Sequence, residues 1–188
     1  MFLQIIFWKD SPQTSSNTAL AATAASAAVV QEKTTEAERV RIGLPVRIII
    51  PNIKVNAELE YVGLTPNGEM DVPKERTHAA WFNLGARPGE NGSAVIAGHY
   101  GWKDGKSSVF DNLNTLHIGD KVYVEDGARG TTIFIVRALK EYNQNTNASD
   151  VFNSYDGKSH LNLITCEGVW NKELKNYSKR LVVFTEKE

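Results

Sequence analysis

After Arg41 the apolar positions recur mostly with a period of two, and runs of helical period are short. "PVRIIIP" is β-branched and closes on Pro51, which predicts a strand. "AELEYVGL" alternates and meets the turn signal "TPNG". "EMDVP" reads as a short extended piece. "RTHAAWFNLGARPGENG" mixes apolar residues with Gly and Pro and reads as a helical turn and loop. "SAVIAGHY" predicts a buried strand with Gly98-His99 near its end. "SVFDNLNTLHIGD" carries a brief helical pattern through Val109, Leu113 and Leu116, closed by Gly119. "KVYVED" and "TTIFIVRALKEY" alternate on either side of Gly127 to Gly130 and predict a hairpin. "NASDVFNSY" predicts one helical turn inside a long loop. "HLNLITC" and "RLVVFTE" read as the last two strands, with the polar run "EGVWNKELKNYSK" as a loop between them. Roughly eight short strands with only short helices, and no βαβ rhythm, point to an all-β closed barrel or sandwich.

Before residue 41 the pattern changes. "MFLQIIFW" is apolar and stops at Lys9 and Asp10, and "ALAATAASAAVV" runs from Ala19 to Val30. Both fall short of the roughly 20 apolar residues that span a bilayer. No basic segment precedes the first run, so it does not match a signal peptide. Residues 1–40 read as a tail or linker, either a loosely ordered one or the remnant of a membrane-tethering segment. Residues 41–188 form one domain, long enough for a sizeable core.

Composition narrows the class further. The chain of 188 residues is 41% apolar and 23% charged, with 21 basic and 22 acidic side chains and a net charge of -1. That balance is ordinary for a globular domain and carries no electrostatic footprint for nucleic acid. "GARPGENG" lacks the Lys-Ser/Thr and the strand–loop–helix setting of a phosphate loop. The single cysteine, Cys166, forbids an intrachain disulfide and leaves the compartment open.

Three polar residues sit at predicted strand ends. His99 closes "SAVIAGH", Cys166 closes "LNLITC", and Arg180 opens "RLVVFTE". Taken singly each has a bland role: a small buried hydrophobe, a cap, a solvated edge charge. Together they make a coherent set. A thiolate is a nucleophile, and a nearby cation helps it form. A histidine passes a proton to a leaving amine. A guanidinium stays charged and can hold an oxyanion or a peptide carbonyl. The set suits acyl transfer through a thioester, although spacing alone leaves open whether the three residues meet.

At these residues the chain resembles the sortases, bacterial cell-surface cysteine transpeptidases. Their thiol signature, Thr-Leu-x-Thr-Cys with an Arg on the next strand, stands here as Asn162-Leu163-Ile164-Thr165-Cys166 and Arg180. Their Gly-His after an apolar strand stands as "VIAGH", Val95 to His99. The segment "PVRIIIPNIKVNAELEYVGLTPNGEMDVP" is also similar to the family's first strands, and "GENGSAVIAGHYG" with "VFDNLNTLHIGDKVYV" fits as well. Asn162 departs from the signature's first Thr.

The resemblance implies a closed eight-stranded sortase-type β-barrel with a few short helices. It implies that Cys166 attacks the carbonyl before the scissile bond of a sorting signal like Leu-Pro-x-Thr-Gly. His99 would protonate the leaving amine and activate the incoming one, and Arg180 would hold the carbonyl or oxyanion. Thr165 would orient Arg180 or the substrate. Ala97, Ile164 and Leu181 would line an apolar groove. The Gln144–Ser159 stretch would shape motif specificity, and its Asn- and Ser-rich composition predicts mobility.

The partners implied are the sorting-signal peptide of secreted surface proteins and an amine acceptor such as a peptidoglycan precursor or a pilin Lys. The site would lie at the extracellular face of the bacterial membrane, on a monomer, with no cofactor. A thiol peptidase, a pilin polymerase and a non-catalytic peptide-binding module stay open as alternatives. No metal is expected. His78, His117 and His160 lack ligand spacing, and Asp104, Glu125 and Asp126 do not form a calcium loop. Trp170 borders the groove or packs.

Overall fold

The computed structural model describes residues 42–101, 105–143, 146–173 and 176–188. The N-terminal tail, Asp104, and Gln144 and Asn145 of the long loop lie outside the described residues. Eight strands are present: β1 Pro45–Ile50, β2 Val55–Val62, β3 Ala79–Phe82, β4 Gly92–Gly98, β5 Lys121–Asp126, β6 Thr131–Asn143, β7 Ser159–Asn171 and β8 Asn176–Lys187. They close into a barrel in the order β1-β2-β3-β4-β7-β8-β6-β5. Neighbours are antiparallel except β2–β3 and β4–β7, which are parallel. A parallel pair needs a crossover rather than a tight turn. The connection through residues 63–78 supplies it for β2–β3, and the β5–β6 half of the barrel supplies it for β4–β7.

Alternation sorts the side chains into two apolar layers. Ile48, Ile50, Ile96, Val122, Phe134, Leu161, Leu163, Leu181 and Val183 fill the barrel interior. Val95, Ala97, Ile164, Cys166 and Val182 point the other way, into a second cluster on the outer face of β4, β7 and β8. That outer face is covered by the helical turn α1, Ser149–Phe152, whose Val151 and Phe152 are buried there with Ala148. Phe152 meets Phe82 edge-on at 5.6 Å. Tyr142 Oη donates to Asp150 Oδ2 (2.7 Å), and Asn162 Nδ2 donates to the Val151 carbonyl (2.6 Å). Polar composition therefore did not leave this part of the long loop unattached: three buried side chains and two hydrogen bonds anchor it.

Two expected elements differ. "THAAWFN" is not a helical turn but contains β3. All four of its residues are buried, Ala79 and Trp81 inward and Ala80 and Phe82 outward. A strand covered on both faces shows no polar alternation, so its period is invisible in sequence. The polar run after Cys166 is not a loop either. It continues β7 to Asn171 and returns as β8 from Asn176, with irregular pairing between Glu167 and Trp170. Gly168 permits the irregularity with φ +86°, and a Cβ there would meet Ser178 Oγ at 2.5 Å. The run is polar because the hairpin reaches beyond the barrel into solvent. The helical pattern at Val109–Leu116 is a pair of turns ending in a 3-10 turn, Leu113–Thr115, with Leu113 and Leu116 in the interior.

Gly98 has a steric reason. A Cβ on it would lie 2.4 Å from Phe110 Cδ2 and 2.7 Å from Val109 Cγ1. Phe110 is fully buried and cannot yield, so a methyl group overpacks the rim next to His99. Gly98→Ala is expected to lower unfolding stability by about 1–3 kcal/mol, read by urea denaturation.

Candidate active site

The β4–β7 ladder fixes the site. Parallel pairing runs from Gly92↔Ser159 to Ala97↔Ile164 in constant register. One step further, Thr165 Oγ1 donates to the Gly98 carbonyl (2.8 Å). Extending the same register by one more residue sets His99, just past the end of β4, level with Cys166. On the other side of β7, Cys166 lies opposite Arg180 of β8. Cys166 and Arg180 lie on the adjacent strands β7 and β8, and His99 directly follows the end of neighbouring β4, so the barrel draws together three segments that are far apart in sequence.

The three side chains are withdrawn from water: Arg180 is 1% exposed, Cys166 5% and His99 6%. Arg180 Nη1 donates to the carbonyls of Tyr177 (3.0 Å) and Lys179 (2.8 Å), and Nη2 donates to Asn176 Oδ1 (2.8 Å). These bonds solvate a buried charge and hold the planar fork in one orientation. Arg180 is thus positioned by its own strand rather than by Thr165, whose hydroxyl is committed to Gly98. Nor does Arg180 open its strand; it lies inside β8.

His99 Nε2 lies 2.7 Å from the Pro73 carbonyl. A carbonyl only accepts, so Nε2 carries the hydrogen, and proton exchange with reacting groups falls to Nδ1. Burial depresses the basicity of this imidazole, partly offset by the Pro73 bond and by the Glu60 carboxylate. Burial pushes the Cys166 thiol up, and the Arg180 charge opposes it. Both shifts favour the uncharged thiol and the uncharged imidazole.

The expected groove residues divide. Ala97 and Ile164 share the outer face with Cys166 but are buried beneath the α1 segment. Leu181 and Thr165 alternate to the inner side. They line a cleft of about 130 Å³ at the barrel end, with Tyr100, Phe110, Asp111 and Cys166 among its walls. It is a shallow depression open to solvent, not an enclosed ligand pocket. Beside the thiol, Tyr177 meets Tyr100 at 5.5 Å and Trp170 at 5.1 Å, both edge-on, so Trp170 packs on the hairpin while staying partly exposed.

Several other titratable residues singled out from sequence have protein partners. His160 faces Asp156, His78 faces Glu60, and Asp126 accepts from the backbone N–H groups of Gly43, Ala128 and Gly130. Among the described residues no three His, Cys, Asp or Glu side chains group as metal ligands. Pro73, Glu60, Asn176 and Tyr177 were not legible as site residues. A backbone carbonyl leaves no sequence signal, and Asn176 acts through a register only the barrel defines.

Comparison with known proteins decides the family. The family model described as Sortase domain matches residues 48–188. The chain belongs to the sortase family. Sortase C-1 from Actinomyces oris is similar in structure at 26% identity and a TM-score of 0.61, over 77% of this chain and 74% of that one. Sortase A from Corynebacterium diphtheriae, a lid mutant, is 21% identical with a TM-score of 0.61, over 78% and 71%. The pilus-related sortase C of Group B Streptococcus is 22% identical with a TM-score of 0.60, over 77% and 67%. The last two share the fold at that identity. No curated protein matches. The expected eight-stranded sortase barrel is the fold observed. Sortases act on the cell-surface side of the membrane; among the described residues no helix is long and apolar enough to cross one.

The electrostatics yield a direct expectation. Cys166 should alkylate slowly with iodoacetamide at pH 7 and faster as pH rises through and above the ordinary thiol value of 9.0. Removing the cation in Arg180→Gln should slow labelling further at pH 8, because the opposing charge is lost. Unchanged labelling in that variant would mean that Arg180 does not act on the thiol.

Proposed function

We propose that this sortase cleaves a sorting signal after Thr and transfers the acyl group to an amine, with Cys166 as nucleophile, His99 as acid and base, and Arg180 as carbonyl or oxyanion holder. The placement of the three on one outer rim supports the reading. Burial favours the neutral thiol and imidazole, so attack begins with transfer of the thiol proton to His99 Nδ1. The sulfur bonds to the carbonyl carbon, and the oxygen's developing charge is met by the Arg180 fork. The C–N bond then breaks, and the imidazolium returns its proton to the departing amine, leaving a thioester. An incoming amine gives a proton to His99 and attacks that thioester. The new amide forms, and the sulfur leaves and is reprotonated. No metal or redox partner enters this balance.

The acceptor decides between transpeptidation and hydrolysis. A cell-wall amine or a pilin Lys supplies the former, and water the latter. The depression beside Cys166 is too shallow to enclose a side chain, which favours a peptide lying across the outer face. The apolar residues of a Leu-Pro-like motif reach Ala97 and Ile164 only if the α1 segment yields. We place the catalytic domain at residues 41–188 and the work of the enzyme outside the cell, on a monomer tethered through the N-terminal segment.

The test is a peptide library built on Leu-x-x-Thr-Gly, with and without triglycine, read by mass beside Cys166→Ala. Cleavage after Thr with triglycine joined to the new end, absent in Cys166→Ala, is the expected result. Free acid alone would make the chain a peptidase toward these substrates. Cleavage that persists in Cys166→Ala would overturn the assignment.

A further inference from the structure

The Pro73 carbonyl that fixes the His99 tautomer belongs to the crossover between β2 and β3. This segment has no regular secondary structure between Asp71 and His78. Its other backbone ties are Asp71 N to the Gly63 carbonyl (3.0 Å), Val72 N to Asp71 Oδ1 (2.8 Å), His78 N to the Glu75 carbonyl (3.2 Å) and Val109 N to the Arg76 carbonyl (2.9 Å). Between those ties, one carboxylate gathers the segment. Glu60, on β2, accepts from Lys74 N at Oε2 (3.0 Å) and from Glu75 N at Oε1 (3.2 Å), and its Oε1 lies 3.2 Å from His78 Nδ1.

We propose that Glu60 is a positioning residue for catalysis: by stapling the backbone at Lys74 and Glu75 it holds the adjacent Pro73 carbonyl against His99 Nε2, and so presents Nδ1 to the thiol. Several observations converge on this role. The stapled amides immediately follow Pro73. Pro73 itself has no N–H with which to anchor its own position. Charge-assisted bonds from backbone N–H groups to a carboxylate are among the stronger ones available. Those bonds hold the Glu60 carboxyl below the usual carboxylate range, overcoming the opposing effect of burial, so it is ionised and accepting at neutral pH. His99 in turn needs one defined tautomer, because a ring with its hydrogen on Nδ1 offers no base to the thiol.

The inference rests on the acid–base role of His99, but its decisive test needs no substrate. Long-range proton–nitrogen correlation spectra of the imidazoles would be recorded at one fixed pH for the wild type, Glu60→Ala, Glu60→Leu and Glu60→Gln. The wild type should show His99 with its hydrogen on Nε2. The Ala and Leu variants, which lack an acceptor, should show a mixture of tautomers, and Gln, which keeps one acceptor oxygen, should restore most of the wild-type signature. The Leu variant retains side-chain volume if Ala fails to melt cooperatively. On any peptide the wild type turns over, kcat should fall about tenfold in Ala or Leu, part of the 10²–10⁴ that general acid–base catalysis supplies, with KM little changed. A cooperatively folded Ala or Leu variant with the wild-type His99 signature overturns the proposal, and so does a Gln variant that restores nothing. Absence of turnover in the wild type would count against the transpeptidase reading and leave the spectroscopic result to decide this one.

Discussion

The hydrogen bond from Thr165 Oγ1 to the Gly98 carbonyl stands where the β4–β7 ladder ends and the site begins. Parallel strands in register keep equal spacing, so one more bond beyond the ladder carries the alignment to His99 and Cys166. The bond also satisfies two buried polar groups that would otherwise cost about 1–3 kcal/mol each. Gly98 is bare because Phe110 packs where its Cβ would be, and the Phe110 amide closes on the His99 carbonyl (3.1 Å). The rim is thus fixed from the barrel interior outward. A core aromatic sets a glycine, the glycine sets the strand end, and the strand end sets the histidine.

Burial gives the site its chemical character. Withdrawing Cys166 and His99 from water favours the neutral form of both, and the cation of Arg180 counters this only in part. The arrangement protects a lone thiol from stray oxidation and alkylation at neutral pH, since the thiolate is the reactive species. It also separates positioning from reactivity. Arg180 is immobilised by carbonyls of its own strand and by Asn176, and His99 by Pro73. The groups that hold the candidate catalytic residues are mostly backbone oxygens, which tolerate sequence change as long as the register survives.

The outer apolar layer links the fold to substrate choice. Ala97 and Ile164 sit on the same face as the thiol, but Val151, Phe152 and Ala148 cover them. Asn162, where the family signature has Thr, reaches the Val151 carbonyl and ties that cover to the thiol strand. A longer amide side chain makes this reach possible, so the departure from the signature has a local structural use.

Sequence alone determined most of the strands, because barrel strands with one face toward polar surroundings print a period of two. It also singled out Cys166, His99 and Arg180 as candidates, because their residue types sit in short fixed motifs. It missed β3, whose two covered faces erase the period, and it misread the post-thiol hairpin, whose solvent exposure makes a strand look like a loop. Tertiary structure alone decided which of Ala97, Ile164, Thr165 and Leu181 faces the site. One residue of register sends a side chain to the opposite face, and register is set by pairing with distant strands. It alone revealed Pro73 and Glu60, since a backbone carbonyl and the carboxylate that staples its segment leave no pattern along the chain.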